Sequence, residues 1–213
     1  QVNLGYTAIN LTAEGSLENL DSYQGYHTIQ VQEFRRPEFE VTARNETTAP
    51  YFAGDSATVA VKAAYYAGGA LPNADVTWQV STSPGSYSPP NWPEFTFGTW
   101  SPWWWFSDAF YGGPGGSDGS KVETFTGKTD GGGEHFLQLD FGSEGEPKPL
   151  SVLAEATVMD VNRQAWTGTT SLLVHPASVY IGMRTERYFV SQGQPLEVQY
   201  IVTDLDGSPV VDR

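Results

Sequence analysis

Apolar side chains recur at every second position through much of this chain. The alternation is clearest in Val59/Val61/Ala63/Tyr65, Val76/Trp78/Val80 and Val152/Ala154/Ala156/Val158. A period of two is the signature of a half-buried strand, because successive side chains leave the backbone on opposite faces. No window of 12 or more residues carries a sustained helical period free of Gly and Pro, so long helices are not expected. The pattern predicts strands near Arg35–Arg44, Ser56–Tyr66, Asp75–Ser81, Lys121–Lys128, Glu134–Asp140, Ser151–Asp160 and Trp166–His175. Seven such strands match an antiparallel sandwich of the fibronectin-III or immunoglobulin kind. The stretches between them are turn chemistry. AGGALPNAD (Ala67 to Asp75) and TDGGGE (Thr129 to Glu134) supply the Gly, Pro and Asn that tight reversals need.

Strand patterns also flank this set. Val2–Leu11 and Tyr26–Glu33 read as the last strands of a preceding domain, and Val179–Phe189 and Leu196–Thr203 as the first strands of a following one. The joint between the first two regions is VQEFRRPEFEV, Val31 to Val41. It links two alternating segments with no Gly or Asn for a hairpin, and Pro37 holds Arg36 extended. The organisation expected is therefore 1–33, the end of one domain; 34–175, a complete seven-stranded domain; and 176–213, the start of a third. The chain reads as a piece of a longer protein.

One stretch departs from short turns. Residues 84–117 lie between the third and fourth strands of the central set, where connections usually run to about 4–6 residues. The stretch holds five of the seven Trp, including Trp103, Trp104 and Trp105, and only two charged side chains, Glu94 and Asp108. Such a composition argues against a disordered linker. It predicts a folded flap that covers one sheet or packs on a neighbouring domain, with FTFG (Phe95 to Gly98) adding a strand. Trp103, Trp104 and Trp105 are the candidate interaction surface. Three consecutive Trp on an extended segment point alternately to opposite faces, so a single flat sugar platform is disfavoured against a packing role.

Charge and composition narrow the function. The net charge of −14, with only 11 Lys and Arg, opposes phosphate backbones and anionic lipid. No nucleic-acid partner is expected. No apolar run reaches the 18 residues of a membrane span. Cysteine is absent, which removes disulfides, thiolate metal sites and Cys nucleophiles. His27, His135 and His175 stand in or beside different strands without metal-ligand spacing. Gly115-Gly116-Ser117-Asp118-Gly119 spells Gly-x-Ser-x-Gly but lacks the strand and helix of a nucleophile elbow. Asp204-Leu205-Asp206-Gly207 lacks the later acidic ligands of a calcium loop and reads as a hairpin turn. No catalytic, metal or cofactor-binding residue is assigned, and the chain is not expected to be an enzyme.

VQEFRRPEFEV, GDSATVAVKAAYYAGGALPNADVTWQV (Gly54 to Val80), TGKTDGGGEHFLQL (Thr126 to Leu139), VMDVNRQAWTGTTSLLVHPASVYIGMR (Val158 to Arg184) and VTDLDGSPV (Val202 to Val210) resemble, in order and spacing, the bacterial alpha-2-macroglobulin family. The resemblance spans about four fifths of the chain. It implies tandem macroglobulin-like β-sandwich domains in a secreted, periplasmic or cell-surface protein. It also implies a broad-spectrum endopeptidase inhibitor that entraps a protease after a bait segment is cut. This chain would supply wall domains, partnered by neighbouring domains of the same chain and, through the whole protein, by target proteases. The Cys–Gln thioester of many members cannot form within a Cys-free chain. Two other readings stay open: a carbohydrate-binding module, suggested by the Trp-rich stretch, and an adhesive or surface-array repeat.

Overall fold

A computed structural model of the protein describes residues 5–12, 24–31, 38–98, 120–143, 147–187 and 189–211. The chain divides into two compact units, Gln1–Glu38 and Phe39–Arg213. In the first, β1 (Gly5–Thr12) and β2 (Gln24–Val31) form an antiparallel pair that sets Gly5 opposite Val31 and Thr12 opposite Gln24. Most of the Pro-stiffened connector, residues 32–37, lies outside the described residues.

The second unit carries β3 (Phe39–Asn45), β4 (Tyr51–Phe52), β5 (Ser56–Tyr65), β6 (Asp75–Pro84), β7 (Thr96–Phe97), β8 (Lys121–Lys128), β9 (Glu134–Asp140), β10 (Leu150–Met159), β11 (Ala165–His175), β12 (Val179–Arg184) and β13 (Gln199–Asp204). Among the described residues there is no helix, and the fold is an all-β sandwich with an appended sheet. One layer has the order β4-β11-β10-β6-β8, the second is β3-β5-β9, and a third sheet runs β13-β12-β7. Each strand read from the alternation between 34 and 175 has its counterpart here. β4 is additional: two residues running parallel to β11, Tyr51 beside Val174 and Phe52 beside His175, too short to show a period. The C-terminal strands are shorter than their apolar patterns, ending at Arg184 and starting at Gln199.

The core follows the alternation. Val76, Trp78 and Val80 of β6, Val152 to Val158 of β10 and Leu172 and Val174 of β11 face Phe39, Val59, Val61, Ala63 and Leu139 of the opposing layer. One cross-strand row explains the shape of this interior. Gly168, Ala156, Trp78 and Phe125 stand side by side on β11, β10, β6 and β8. At the glycine end the layers close: a Cβ on Gly168 would lie 2.9 Å from the Ala43 nitrogen and 3.1 Å from the Val41 oxygen of β3. At the aromatic end they are propped apart by Trp78, which is fully buried. Its Nε1 donates to His135 Nδ1 of β9 at 3.1 Å, a hydrogen bond that bridges the two layers. Ala156 leaves the room that the indole fills. The row tapers from glycine to tryptophan and gives the sandwich a closed edge and an open edge.

Three reversals share one device. Asp130, Asp160 and Asp204 each accept, on Oδ1, the amide of the residue four positions on: Glu134, Gln164 and Ser208, at 2.9, 2.8 and 2.8 Å. The third residue after each aspartate has positive φ: Gly133 at 76°, Arg163 at 60° and Gly207 at 79°. Glycine takes that conformation freely, whereas an L side chain is strained by it. TDGGGE and DLDGS thus form Asp-capped turns, and neither aspartate needs a cation to explain it.

Candidate functional site

The aromatic insertion leaves β6 at Pro84 and crosses to the third sheet, where it contributes a strand. β7 pairs antiparallel with β12, Phe97 opposite Gly182 and Thr96 opposite Met183. The FTFG strand is therefore added to the C-terminal sheet and not to either layer of the sandwich. Gly182 makes this docking possible. A Cβ there would lie 2.6 Å from Phe97 Cζ and 3.1 Å from Phe95 Cβ, so only a bare backbone accepts the phenyl ring. Arg184 stacks over Phe95, its guanidinium carbon 4.9 Å from the ring centroid, and donates from Nε to Gln199 at 2.7 Å. Its contact with Glu94, at 3.8 Å between side chains each about two-fifths exposed, adds little.

Before reaching β7 the insertion ties itself to the turn after β13. Tyr87 Oη donates to the Leu205 carbonyl, and Trp92 Nε1 donates to the Gly207 carbonyl at 2.8 Å. Trp92 also meets Phe95 edge-on, with centroids 5.9 Å apart. Gly207 lies against the Pro90 carbonyl, where no side chain fits. Pro89, Pro90 and Pro93 help explain why this part of the loop is preset, since each ring fixes its φ.

At the base of the seam stands His175, the last residue of β11. It is buried, with 7% of its surface exposed. Its Nδ1 hydrogen-bonds Tyr180 Oη of β12 at 2.8 Å. The ring packs against Tyr87 at 4.8 Å, Tyr180 at 5.8 Å and Phe52 at 6.1 Å between centroids. Burial pushes the His175 pKa below its usual value, because the apolar surroundings disfavour the charged ring. Burial also raises Tyr180, with a smaller contribution from Tyr87, to about 12. Each group is held neutral in the folded seam. Four elements (β4, the insertion, β11 and β12) therefore meet on one aromatic cluster, which joins the sandwich to the C-terminal sheet.

Within the seam His175 and Tyr180 bond to each other, Tyr87 and Trp92 bond to backbone carbonyls, and the buried Thr203 hydroxyl opposite Tyr180 has no partner. A cleft of about 630 Å³ opens beside it, lined by Asn45, Tyr51, Tyr87, Ser171, His175 and Asp206 among others. There too the side chains bond inward: Tyr51 Oη to Thr47 O and Asn45 Nδ2 to Ser171 O. Among the described residues, no three His, Asp or Glu gather where they could hold a metal ion. Trp103, Trp104 and Trp105, the candidates from sequence, lie outside the described residues. The insertion's described aromatics, Tyr87, Trp92, Phe95 and Phe97, face other rings or the backbone of the third sheet. The His175–Tyr180 pair was missed in the sequence. Its trace is HPASVY, in which a proline and two small residues hold the pair five positions apart.

No protein-family model matches the chain. A curated relative, circularly permutated Ras protein 2 of Dictyostelium discoideum, is 31% identical over 199 residues, covering 87% of this chain and 5% of that protein. Native E. coli alpha-2-macroglobulin superposes with a TM-score of 0.59 at 14% identity, over 90% of this chain and 12% of that one. The trypsin-activated E. coli protein gives 0.58 at 15% identity, over 96% and 14%. Salmonella alpha-2-macroglobulin reacted with methylamine gives 0.59 at 14%, over 97% and 13%. The chain has the fold of a macroglobulin-like segment, as the sequence resemblance implied, and it spans a small part of each of these proteins.

Proposed function

We propose that this chain is a structural wall segment of a large alpha-2-macroglobulin-like protease inhibitor. It is not an enzyme, and it acts by holding consecutive macroglobulin-like domains in fixed order around an entrapped protease. One observation carries the reading. The fold likeness runs through 90–97% of this chain, and so includes the sandwich together with what flanks it. The division into 1–33, 34–175 and 176–213 belongs to the same proposal, as does a periplasmic or cell-surface location. The aromatic seam supports it, since its residues fasten one sheet system to the next. For Trp103, Trp104 and Trp105 the proposal is likewise a packing role, against the sandwich or against a neighbouring domain of the same chain. Target proteases engage the whole protein, through a bait segment elsewhere in it.

Trypsin or elastase incubated with the parent protein tests this directly. Hydrolysis of a short chromogenic peptide should persist while hydrolysis of casein falls away, because a cage excludes large substrates only. The 213-residue chain alone should change neither activity. Unaltered casein cleavage in the presence of the parent, or stoichiometric inhibition by the isolated chain, would overturn the proposal.

A further inference from the structure

We propose that the His175 seam is an acid-labile hinge: protonation of His175 releases the C-terminal sheet, β13-β12-β7, from the sandwich. The inference is independent of protease entrapment and rests on the seam's geometry. His175 occupies the last position of β11, and Pro176, Ala177 and Ser178 are all that separate it from β12. Any rotation of the third sheet about this joint has to displace the His175 ring. The ring is enclosed by Phe52 from β4, Tyr87 from the insertion and Tyr180 from β12. None of these is anionic at neutral or acid pH. The titratable groups around it are the phenols of Tyr51, Tyr87 and Tyr180, together with the carboxylate of Asp206 on the far wall of the cleft. Asp206 is exposed to solvent. A charge on the imidazole therefore has no counter-ion in the closed seam, whereas water solvates it in the open one.

The cleft of about 630 Å³ supplies the space for this movement. Its walls come from both sides, Asn45, Ser171 and Leu172 from the sandwich and Leu205 and Asp206 from the turn after β13. Among the described residues, the insertion adds two fastenings near its start, Tyr87 to Leu205 and Trp92 to Gly207. Because β7 is hydrogen-bonded to β12, the released body is the whole third sheet, with the insertion acting as a tether. Burial depresses the His175 pKa below 6.5, so the closed form binds fewer protons than the open form. The closed seam is fully stable above about 6.5 and loses stability as pH falls from there towards the lowered value, below which both forms are protonated and the loss levels off. Within that window the open-to-closed ratio should rise by roughly tenfold per pH unit, the limit for one proton.

The absence of cysteine makes the test clean. Fluorophores are placed on Thr77→Cys, outward on β6, and Tyr200→Cys, on the exposed face of β13. Energy transfer in the 213-residue chain should be constant from pH 8 to 7 and should fall reversibly as pH drops below about 6.5, with the β-sheet circular dichroism unchanged. The His175→Gln chain, which keeps a hydrogen-bonding group but cannot titrate, should show no such transition. Should that variant stay open at every pH, the wild-type imidazole resonance decides. A His175 midpoint that coincides with the fall in transfer supports the hinge. Constant transfer in the wild type, an acid transition that survives in His175→Gln, tighter closure on acidification, or concurrent loss of β-sheet signal would each overturn it.

Discussion

Trp78→Ala will lower the stability of the sandwich by about 3–5 kcal/mol, the range for truncating a large aromatic in a core. The indole is fully buried and stands between Ala156 and Phe125 in the row that sets the wedge of the interior. Ala154 and Ala156 are too small to fill the void, and β11 cannot move inward, because Gly168 already brings it against the β3 backbone. His135 Nδ1 also loses its donor, so the bond that spans the two layers disappears. The comparison is Trp166→Ala, at a position 42% exposed on β11, where the change should stay within about 1 kcal/mol. Urea unfolding followed by circular dichroism gives both values. Equal losses at the two positions would mean that Trp78 does not brace the layers.

The second large effect is expected at Gly207. Gly207→Ala and Gly193→Ala both put a side chain at positive φ, 79° and 86°, which costs about 1–2 kcal/mol in either case. They differ in what the new methyl meets. Gly193 has open space within 4 Å, whereas a Cβ on Gly207 collides with the Pro90 carbonyl. Relieving that collision moves Pro90 and Trp92, whose indole donates to the Gly207 carbonyl itself. Overpacking adds about 1–3 kcal/mol, so Gly207→Ala should cost roughly twice as much as Gly193→Ala. The loss should be local. Amides of β12 and β13 should exchange faster, while those of β6 and β10 keep their protection. Loss of protection across the sandwich as well would contradict a seam that can fail alone.

Much of this architecture is legible in the chain because the sandwich strands obey a single rule. Val59, Val61, Trp78, Val152 and Ala154 are buried where a period of two puts them, although β8 has no buried residue and Ala60 is buried on the opposite face of β5. β4 escaped that rule, because Tyr51–Phe52 is too short to alternate. The strand character of Phe95–Gly98 was also legible, but its partner was not. Pairing with β12 depends on Gly182 admitting Phe97 from some 85 residues away in sequence, and local pattern carries no such information. The same holds for the seam. The aromatic richness of 84–117 suggested a packed segment, which can be followed through 84–98, yet it drew the reading to the Trp triplet. Tyr87 and Trp92 hold the turn of the third sheet, and they look unremarkable among so many rings. His175 read as an isolated strand histidine, because the phenols around it come from three separate elements.

The central claim is mechanical: the seam makes the sandwich and the third sheet one body at neutral pH. Amide ¹⁵N relaxation measures that directly, by giving a rotational correlation time for each part of the 213-residue chain. At pH 7.5 the amides of β5, β6 and β10 should yield the same correlation time as those of β12 and β13. A distinctly shorter time for β12 and β13 would mean that the third sheet swings free of the sandwich, and would contradict the account.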